Sequence, residues 1–192
     1  MRHMQASMEV KQMLMITVSG QAGSGTSTLV TGLSQVYGWD YLNGGMVFRS
    51  HAKARSMDLT GFSELCKRDL SVDRALDEEL RMRMNESSGP QIVESRLAGW
   101  WAFKEEIECI RLWLEVSVDE RARRVITREA GEHLLRKQEI LAREQRDLSR
   151  FENLYGLNPS DSTPYTHVLD ATALNQEEVL AVVQSYLEEA KK

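Results

Sequence analysis

Met13-Leu14-Met15-Ile16-Thr17-Val18-Ser19, then Gly20-Gln21-Ala22-Gly23-Ser24-Gly25-Thr26-Ser27-Thr28, then Leu29-Val30-Thr31-Gly32-Leu33: the fold of the whole chain is read outward from this run. Its first part is a short apolar stretch that predicts a buried strand. Glycines at 20, 23 and 25 punctuate a loop, and Leu29, Val30, Leu33 and Val36 recur at helical spacing over Thr26 to Tyr37. A strand feeding a glycine loop that opens directly into a helix aims backbone N–H groups and a helix N-terminus at one anion site. The loop fits the phosphate-cradling pattern G-x-x-x-x-G-K-[ST] except at Thr26, where lysine is expected. That reduced pattern arises by chance in about one chain in ten of this length, so the flanking strand and helix carry the argument. If phosphates sit there, Ser27 holds the hydroxyl position that ligates Mg²⁺, and Thr26 offers a hydrogen bond but no charge. The missing positive charge must then come from elsewhere in the chain.

Downstream, four more apolar runs read as strands: Trp39 to Leu42, Gln91 to Glu94, Ile110 to Val116 and His167 to Asp170. Helical patterns separate them, which predicts repeated βαβ units and a parallel sheet with helices on both faces. Residues 45 to 88 are too long for one crossover helix, end at the turn Ser88-Gly89-Pro90, and predict an inserted helical subdomain. Residues 131 to 155 form a second long polar helical pattern. Leu134, Leu141, Leu148 and Tyr155 run seven apart on it, and Arg136, Arg143 and Arg150 follow two positions behind. That offset is about 200 degrees around a helix, so the pattern predicts one face that packs and one that is arginine-rich. Leu157 to Tyr165, with two prolines, reads as loop, and Gln176 to Ala190 as an amphipathic helix.

Composition bounds the rest. At 192 residues and 42% hydrophobic, the chain suits one domain of roughly 100 to 200 residues. No apolar stretch approaches the roughly 20 residues of a membrane span. A net charge of -5 argues against broad capture of a nucleic-acid backbone, so any anion site must be built from placed residues. Cys66 and Cys109 belong to no Cys-x-x-Cys pair or zinc-ligand cluster and read as buried free thiols. Residues 1 to 12 read as an extension without the apolar core of a secretory signal, giving an expectation of a cytoplasmic protein.

Candidate anion ligands are arginines. Arg49 follows Asn43-Gly44-Gly45 near the start of the first subdomain helix, and Arg96 follows Glu94 at the end of a strand, where a doubly wound sheet borders its ligand crevice. A solvated Arg49 and a local Glu94/Arg96 ion pair are the competing readings. Arg143, Asp147 and Arg150, at i, i+4 and i+7, share a helical face and can converge on one ligand, although a helix this charged commonly just displays a solvated face. Arg121, Arg123, Arg124 and Arg128 form a further basic cluster. His51, His133 and His167 have no spacing that suggests a triad or a metal site.

Taken together these segments resemble the cytidylate kinases of the nucleoside-monophosphate kinase group, most closely their archaeal-type short form, over about residues 13 to 190. The loop ending Gly25-Thr26-Ser27-Thr28 is similar to that subgroup's version, in which threonine regularly replaces the lysine. Asn43-Gly44-Gly45-Met46-Val47-Phe48-Arg49 resembles its Ser-x-Gly-x-x-Phe-Arg segment, with Asn43 for serine. Glu94-Ser95-Arg96-Leu97-Ala98-Gly99-Trp100 resembles its Glu-Gly-Arg-Leu-Ala-Gly-Trp, with Ser95 for glycine. Arg121 to Val125 with Arg128-Glu129, then Arg143, Asp147, Arg150 and Tyr155-Gly156, resemble the run into and along the family's lid. Asp161 to Asp170 is similar to a further segment, from which Thr163-Pro164 and Thr166 depart.

The resemblance implies an α/β P-loop nucleoside-monophosphate kinase fold: a five-stranded parallel sheet with helices on both faces, a kinase domain over 13 to 192, an acceptor-binding insertion at 45 to 88 and a lid at 131 to 155. It implies transfer of the ATP γ-phosphoryl group to CMP or dCMP. Gly20, Gly23, Ser24, Gly25, Thr26, Ser27 and Thr28 would bind ATP, with Mg²⁺ on the Ser27 hydroxyl. Arg49, Arg96 and Glu94 would bind the acceptor, and Arg143, Arg150 and Asp147 would serve transfer. Small-molecule nucleotides are the implied partners, with neither nucleic acid nor membrane, in a monomer or weak dimer. Another acceptor (UMP, AMP or a non-nucleotide) and a nucleotide binder without transfer stay open on the residues alone.

Overall fold

A computed structural model describes residues 13–129 and 131–191; the extension expected at 1 to 12 lies outside the described residues. Five strands form one parallel sheet: β1 Ile16–Gly20, β2 Tyr41–Asn43, β3 Ile92–Glu94, β4 Ile110–Glu115 and β5 His167–Asp170, in the order β2-β3-β1-β4-β5. The central strand β1 is buried along its whole length, Thr17 and Ser19 included, as a strand covered on both faces of the sheet must be. Leaving β1, the chain crosses to the far edge at β2 and returns through β3. It then passes to the other side of β1 for β4 and β5. Such a reversal opens a crevice at the carboxyl ends of the strands. The register sharpens this, because Val18 and Asn43 both lie opposite Glu94.

Both faces of the sheet are covered, as the βαβ pattern predicts. On one, Ile16, Val18, Ile92, Leu112 and Leu114 pack with Leu29 and Leu33 of α1 (Thr26–Tyr37) and with Val183 and Leu187 of a C-terminal helix, Gln176–Glu189. On the other, Leu14, Leu42 and Val93 meet Leu97, Trp100 and Trp101 together with Phe151 and Leu157. Three helices lie between β2 and β3: α2 Gly44–Ala54, α3 Leu59–Arg68 and α4 Leu70–Asn85. Asn43, Asp58 and Asp69 cap them, each accepting from a backbone N–H of the first turn. Phe62, Ala52, Cys66 and Val72 give these helices a small core of their own. The remaining helices are α5 Ala98–Lys104, α6 Val118–Glu129, α7 His133–Tyr155 and, C-terminally, α8 Gln176–Glu189. No helix among the described residues is long and apolar enough to cross a membrane.

Helix α7 departs from the two-faced pattern read from its sequence. Leu134 and Leu141 are 66% and 46% exposed, and the buried residues are Ile140, Phe151 and Leu154. The physical reason is that the carboxyl half of α7 reaches the core over α5, through Phe151, while its amino half packs on the single helix α6. A seven-residue repeat demands a partner along its whole length, and α7 lacks one. Nor does Arg150 point away from the packed side, since its guanidinium lies 4.5 Å from the centre of the Phe151 ring.

The segment 156–166 is irregular yet firmly held. Trp100 Nε1 donates to the Asn158 carbonyl at 2.9 Å, Arg111 Nε to that of Pro164 at 2.6 Å, and the Tyr165 hydroxyl to that of Pro159 at 2.5 Å. Tyr165 in turn packs against Gly99 so closely that an added Cβ would lie 2.4 Å from its ring. The ring sits against Trp113, centroids 5.2 Å apart, and cannot yield freely. Gly99→Ala is therefore expected to cost about 1–3 kcal/mol through overpacking. Thermal or denaturant unfolding would check it, and an unchanged midpoint would contradict the packing described.

Candidate active site

The site is built from the carboxyl ends of β1, β2 and β3. Beyond Gly20 the chain turns through Gly23 (φ 82°) and Gly25 (φ 99°), a left-handed backbone that only glycine adopts without strain. Gly25 caps α1 without any side-chain bond, so the first N–H groups of α1 are left for a ligand. Thr26 borders the cavity as well, with its side chain turned to Glu94. It is buried, and its hydroxyl donates to Glu94 Oε1 at 2.6 Å. Ser27 donates to the same carboxylate, 3.0 Å from Oε1 and 3.3 Å from Oε2. Glu94 is thus drawn onto the loop.

Arg96 comes off β3 across the crevice. Its Nη1 donates to the Gly20 carbonyl at 2.7 Å, and its Nε lies 3.2 Å from Asp147 Oδ2 on α7. The local Glu94/Arg96 ion pair entertained from the sequence is therefore not what forms, because each residue is engaged with another element. Arg150, one turn beyond Asp147, reaches Asp147 Oδ1 at 3.6 Å and Asp73 Oδ1 of α4 at 3.4 Å. Arg143, a turn before, is exposed as a residue but ends in the crevice. There desolvation, and then the positive charge of Arg96, push its pKa down, while Asp147 pulls it up. Arg96, Arg143 and Arg150 thus gather around Asp147, with Asp73 a second carboxylate on Arg150.

These groups converge on one cavity of about 740 Å³, whose lining includes Gly23, Ser27, Arg49, Glu94, Arg96, Arg143, Asp147 and Arg150. Arg49 enters it from α2, exposed, at the side facing Gly45. Gly20, Ser24, Gly25 and Thr28 do not line it themselves; they shape the loop behind it. Asparagine at 43 accepts from the Met46 N–H at 2.7 Å as the cap of α2, and the Ser95 hydroxyl beside it is buried without a partner.

Sequence reasoning missed two carboxylates of α4. Asp73 is buried against Arg150 and Asp77 lies a turn further along, and both line the cavity. Burial raises the pKa of Asp73, partly offset by Arg150. Burial pushes Asp77 up to about 6, opposed by a 2.8 Å hydrogen bond from the Tyr155 hydroxyl. A four-residue spacing of acids inside an otherwise polar helix was their only sequence signal, and many surface helices share it. The basic cluster on α6 is also more specific than its composition suggests. Arg124 donates to the Ser24 carbonyl at 3.0 Å and to that of Ala171 at 2.7 Å. Arg121 is buried and donates to the Ala22 carbonyl at 3.1 Å. The side chain of Arg128 lies outside the described residues. Of the histidines, His51 pairs with Glu79 at 2.6 Å, His133 lies beside Asp119 and His167 stacks on Tyr186, all away from the cavity.

The arrangement is a crevice beside a glycine loop, walled by four arginines and four carboxylates, and known proteins share both its sequence and its frame. Residues 19–150 match the family described as AAA domain. The cytidylate kinase of Pyrococcus abyssi is 33% identical over 178 residues, covering 93% of this chain and 96% of the relative. Among solved structures, an uncharacterized protein from Eubacterium ventriosum superposes with a TM-score of 0.70 at 15% identity, covering 91% of this chain and 98% of that one. A gluconokinase from Sinorhizobium meliloti gives 0.59 at 16% identity, covering 93% and 94%. At such identities the structural likeness shows the α/β kinase frame alone, and it is the sequence match along nearly the entire length that assigns this chain to the cytidylate kinase family.

Proposed function

We propose that the protein transfers the γ-phosphoryl group of ATP to the phosphate of CMP, giving CDP and ADP. The observation that carries this reading is the convergence of Ser27, Arg49, Arg96, Arg143 and Arg150 on a single cavity, with the sequence likeness to cytidylate kinases over 93% of the chain beside it. ATP would lie with its phosphates over the glycine loop and the N-terminus of α1. CMP would enter from the side of α2 and α4, its phosphate between Arg49 and Arg96. Arg143 and Arg150 then flank the phosphoryl group as it passes between the two. Phosphoryl transfer asks little covalent chemistry of a protein; alignment and charge neutralisation lower the barrier. Asp147 holds Arg96 and Arg150 apart and oriented until phosphate oxygens take over its role.

A divalent ion fits the loop. Ser27 and Glu94 bring a hydroxyl and a carboxylate within 3.0 Å of each other, hard oxygen donors of the kind Mg²⁺ prefers when nucleotide phosphates complete its shell. Once bound it would neutralise charge on the β and γ phosphates. Glu94 thus serves the donor side at least as directly as the acceptor side. Thr26 keeps that carboxylate in place, and the charge a lysine would bring is left to Arg96, Arg143 and Arg150.

Water must be kept from the transferring group. The insertion at 45 to 88 and the segment 131 to 155 carry the acceptor-side and transfer arginines, and both are proposed to close over the substrates. At the far end of the cavity, Asp73 and Asp77 supply hydrogen-bond acceptors, which suit an acceptor base carrying an exocyclic amino group. Free thiols at Cys66 and Cys109 fit a reducing, cytoplasmic setting.

Incubation with ATP, Mg²⁺ and, separately, CMP, dCMP, UMP, AMP and GMP tests the proposal directly. Rapid CDP formation, lost in Arg96→Ala, is expected; no product with any acceptor from protein that binds ATP would overturn it. Arg143→Ala and Arg150→Ala should each lower kcat about 100-fold or more while KM for CMP moves far less. An unchanged kcat would remove that arginine from the mechanism. Asp77 adds a pH dependence. Its pKa rises from 3.8 unfolded to about 6 folded, so the folded protein holds this proton more tightly. The stability it contributes is present below pH 4 and is lost as pH rises through 6, about 3 kcal/mol in all. Asp77→Asn should flatten that part of the curve of unfolding free energy against pH.

A further inference from the structure

Arg121 is 3% exposed, and a guanidinium so buried needs every donor answered. Its Nε donates to the Val116 carbonyl at 2.9 Å, just past the end of β4, and its Nη1 to the Ala22 carbonyl at 3.1 Å inside the glycine loop. The countercharge is Glu144, on α7. Nη1 meets Glu144 Oε1 and Nη2 lies 3.4 Å from Oε2, so the pair is fork to fork. Three separate segments therefore meet at one charge: the end of β4, the glycine loop and α7.

The placement of Glu144 gives this meeting a consequence. It follows Arg143 directly and precedes Asp147 by one turn. Along the helix Arg143, Asp147 and Arg150 face the cavity, while Glu144 is turned toward α6 and the loop. The loop itself rests on α6: a Cβ at Gly23 would lie 3.4 Å from the Arg121 Cβ and from Val125 Cγ2. Arg124 adds a second tie from α6 to the Ser24 carbonyl at 3.0 Å. α7 cannot withdraw at Glu144 without stranding the Arg121 charge, and Arg121 cannot shift without releasing the Ala22 carbonyl.

We propose that Arg121 and Glu144 are a positioning couple that holds the glycine loop and the arginine-bearing helix α7 in fixed relation, so that the donor phosphates and the transfer arginines are aligned by the one ion pair of a buried guanidinium. Neither residue touches substrate in this account. The kinetic part of the proposal rests on the functional reading above; the structural coupling does not.

The experiment combines hydrogen–deuterium exchange with kinetics on the full chain, using Glu144→Ala, Glu144→Gln and Arg121→Lys. In Glu144→Ala without nucleotide, amides of residues 20–28 are expected to exchange severalfold faster, although the substitution lies on another element. kcat for CMP should fall about tenfold or more with KM for CMP nearly unchanged, the pattern of lost alignment rather than lost acceptor binding. Glu144→Gln keeps an acceptor without the charge and should recover part of both effects. Loop exchange equal to that of the parent protein in Glu144→Ala, or a kcat within twofold of it, overturns the couple. A lowered melting temperature with loop exchange and kcat both intact would make the pair merely structural, and overturns it equally. Should Arg121→Lys fail to fold, the two variants at the partly exposed Glu144 still decide the matter. Absence of CMP transfer in the parent protein would sink the functional reading alone, since the exchange measurement needs no acceptor.

Discussion

The hydrogen bond from Arg96 to the carbonyl of Gly20, with Asp147 on the other side of the same guanidinium, is the joint on which the site depends. It is available because β1 and β3 are neighbours in register, Val18 opposite Glu94. Gly20 and Arg96, each two residues further on, therefore leave the sheet side by side. Shift that register by one residue and Glu94 would turn to the opposite face of the sheet, away from Thr26 and Ser27. The apolar alternation that covers both faces of the sheet thus also decides where a carboxylate and a guanidinium stand at its edge. Packing and chemistry are specified by the same residues.

Charge explains why the cluster holds together without substrate. Arg96, Arg143 and Arg150 repel one another, and the lowered pKa of Arg143 records both its desolvation and that repulsion. Asp147 and Asp73 supply the nearby negative charge, at 3.2 to 3.6 Å, long for charge-assisted pairs, whose N–O distances run about 2.7–2.9 Å. Such pairs orient the guanidiniums without saturating their donors, and Arg150 Nε is buried with no hydrogen-bond partner among the described residues. On the proposed reading, phosphate oxygens would take up these remaining donors with little rearrangement.

Much of this was legible in the sequence. The glycine loop, the five strands and the segment from Glu94 to Trp100 each carry local signals, because the φ of 82° and 99° at Gly23 and Gly25 favours glycine and strands in a covered sheet draw on apolar residues. What stayed hidden depends on tertiary partners. The repeat Leu134, Leu141, Leu148 and Tyr155 promised a packed seam, but sequence periodicity does not reveal whether a partner runs alongside, and here only Ile140, Phe151 and Leu154 find one. Asp73 and Asp77 look like any acids on a polar helix until α4 is set against α7. Arg121 and Arg124 were readable as a basic cluster, yet not as two side chains turned inward onto loop carbonyls.

The substitution that most weakens the loop pattern, Thr26 for lysine, follows from the same geometry. A lysine at this point would extend a flexible cation over the donor phosphates. Thr26 instead fastens Glu94 at 2.6 Å, which keeps a carboxylate beside Ser27 and leaves the space above the loop open. Positive charge then arrives on guanidiniums from β3 and α7, planar and bidentate rather than a point charge on a mobile stem. On the proposed reading, neutralisation of the transferring group would therefore depend on the packing of β3 and α7 around the crevice and not on the loop alone.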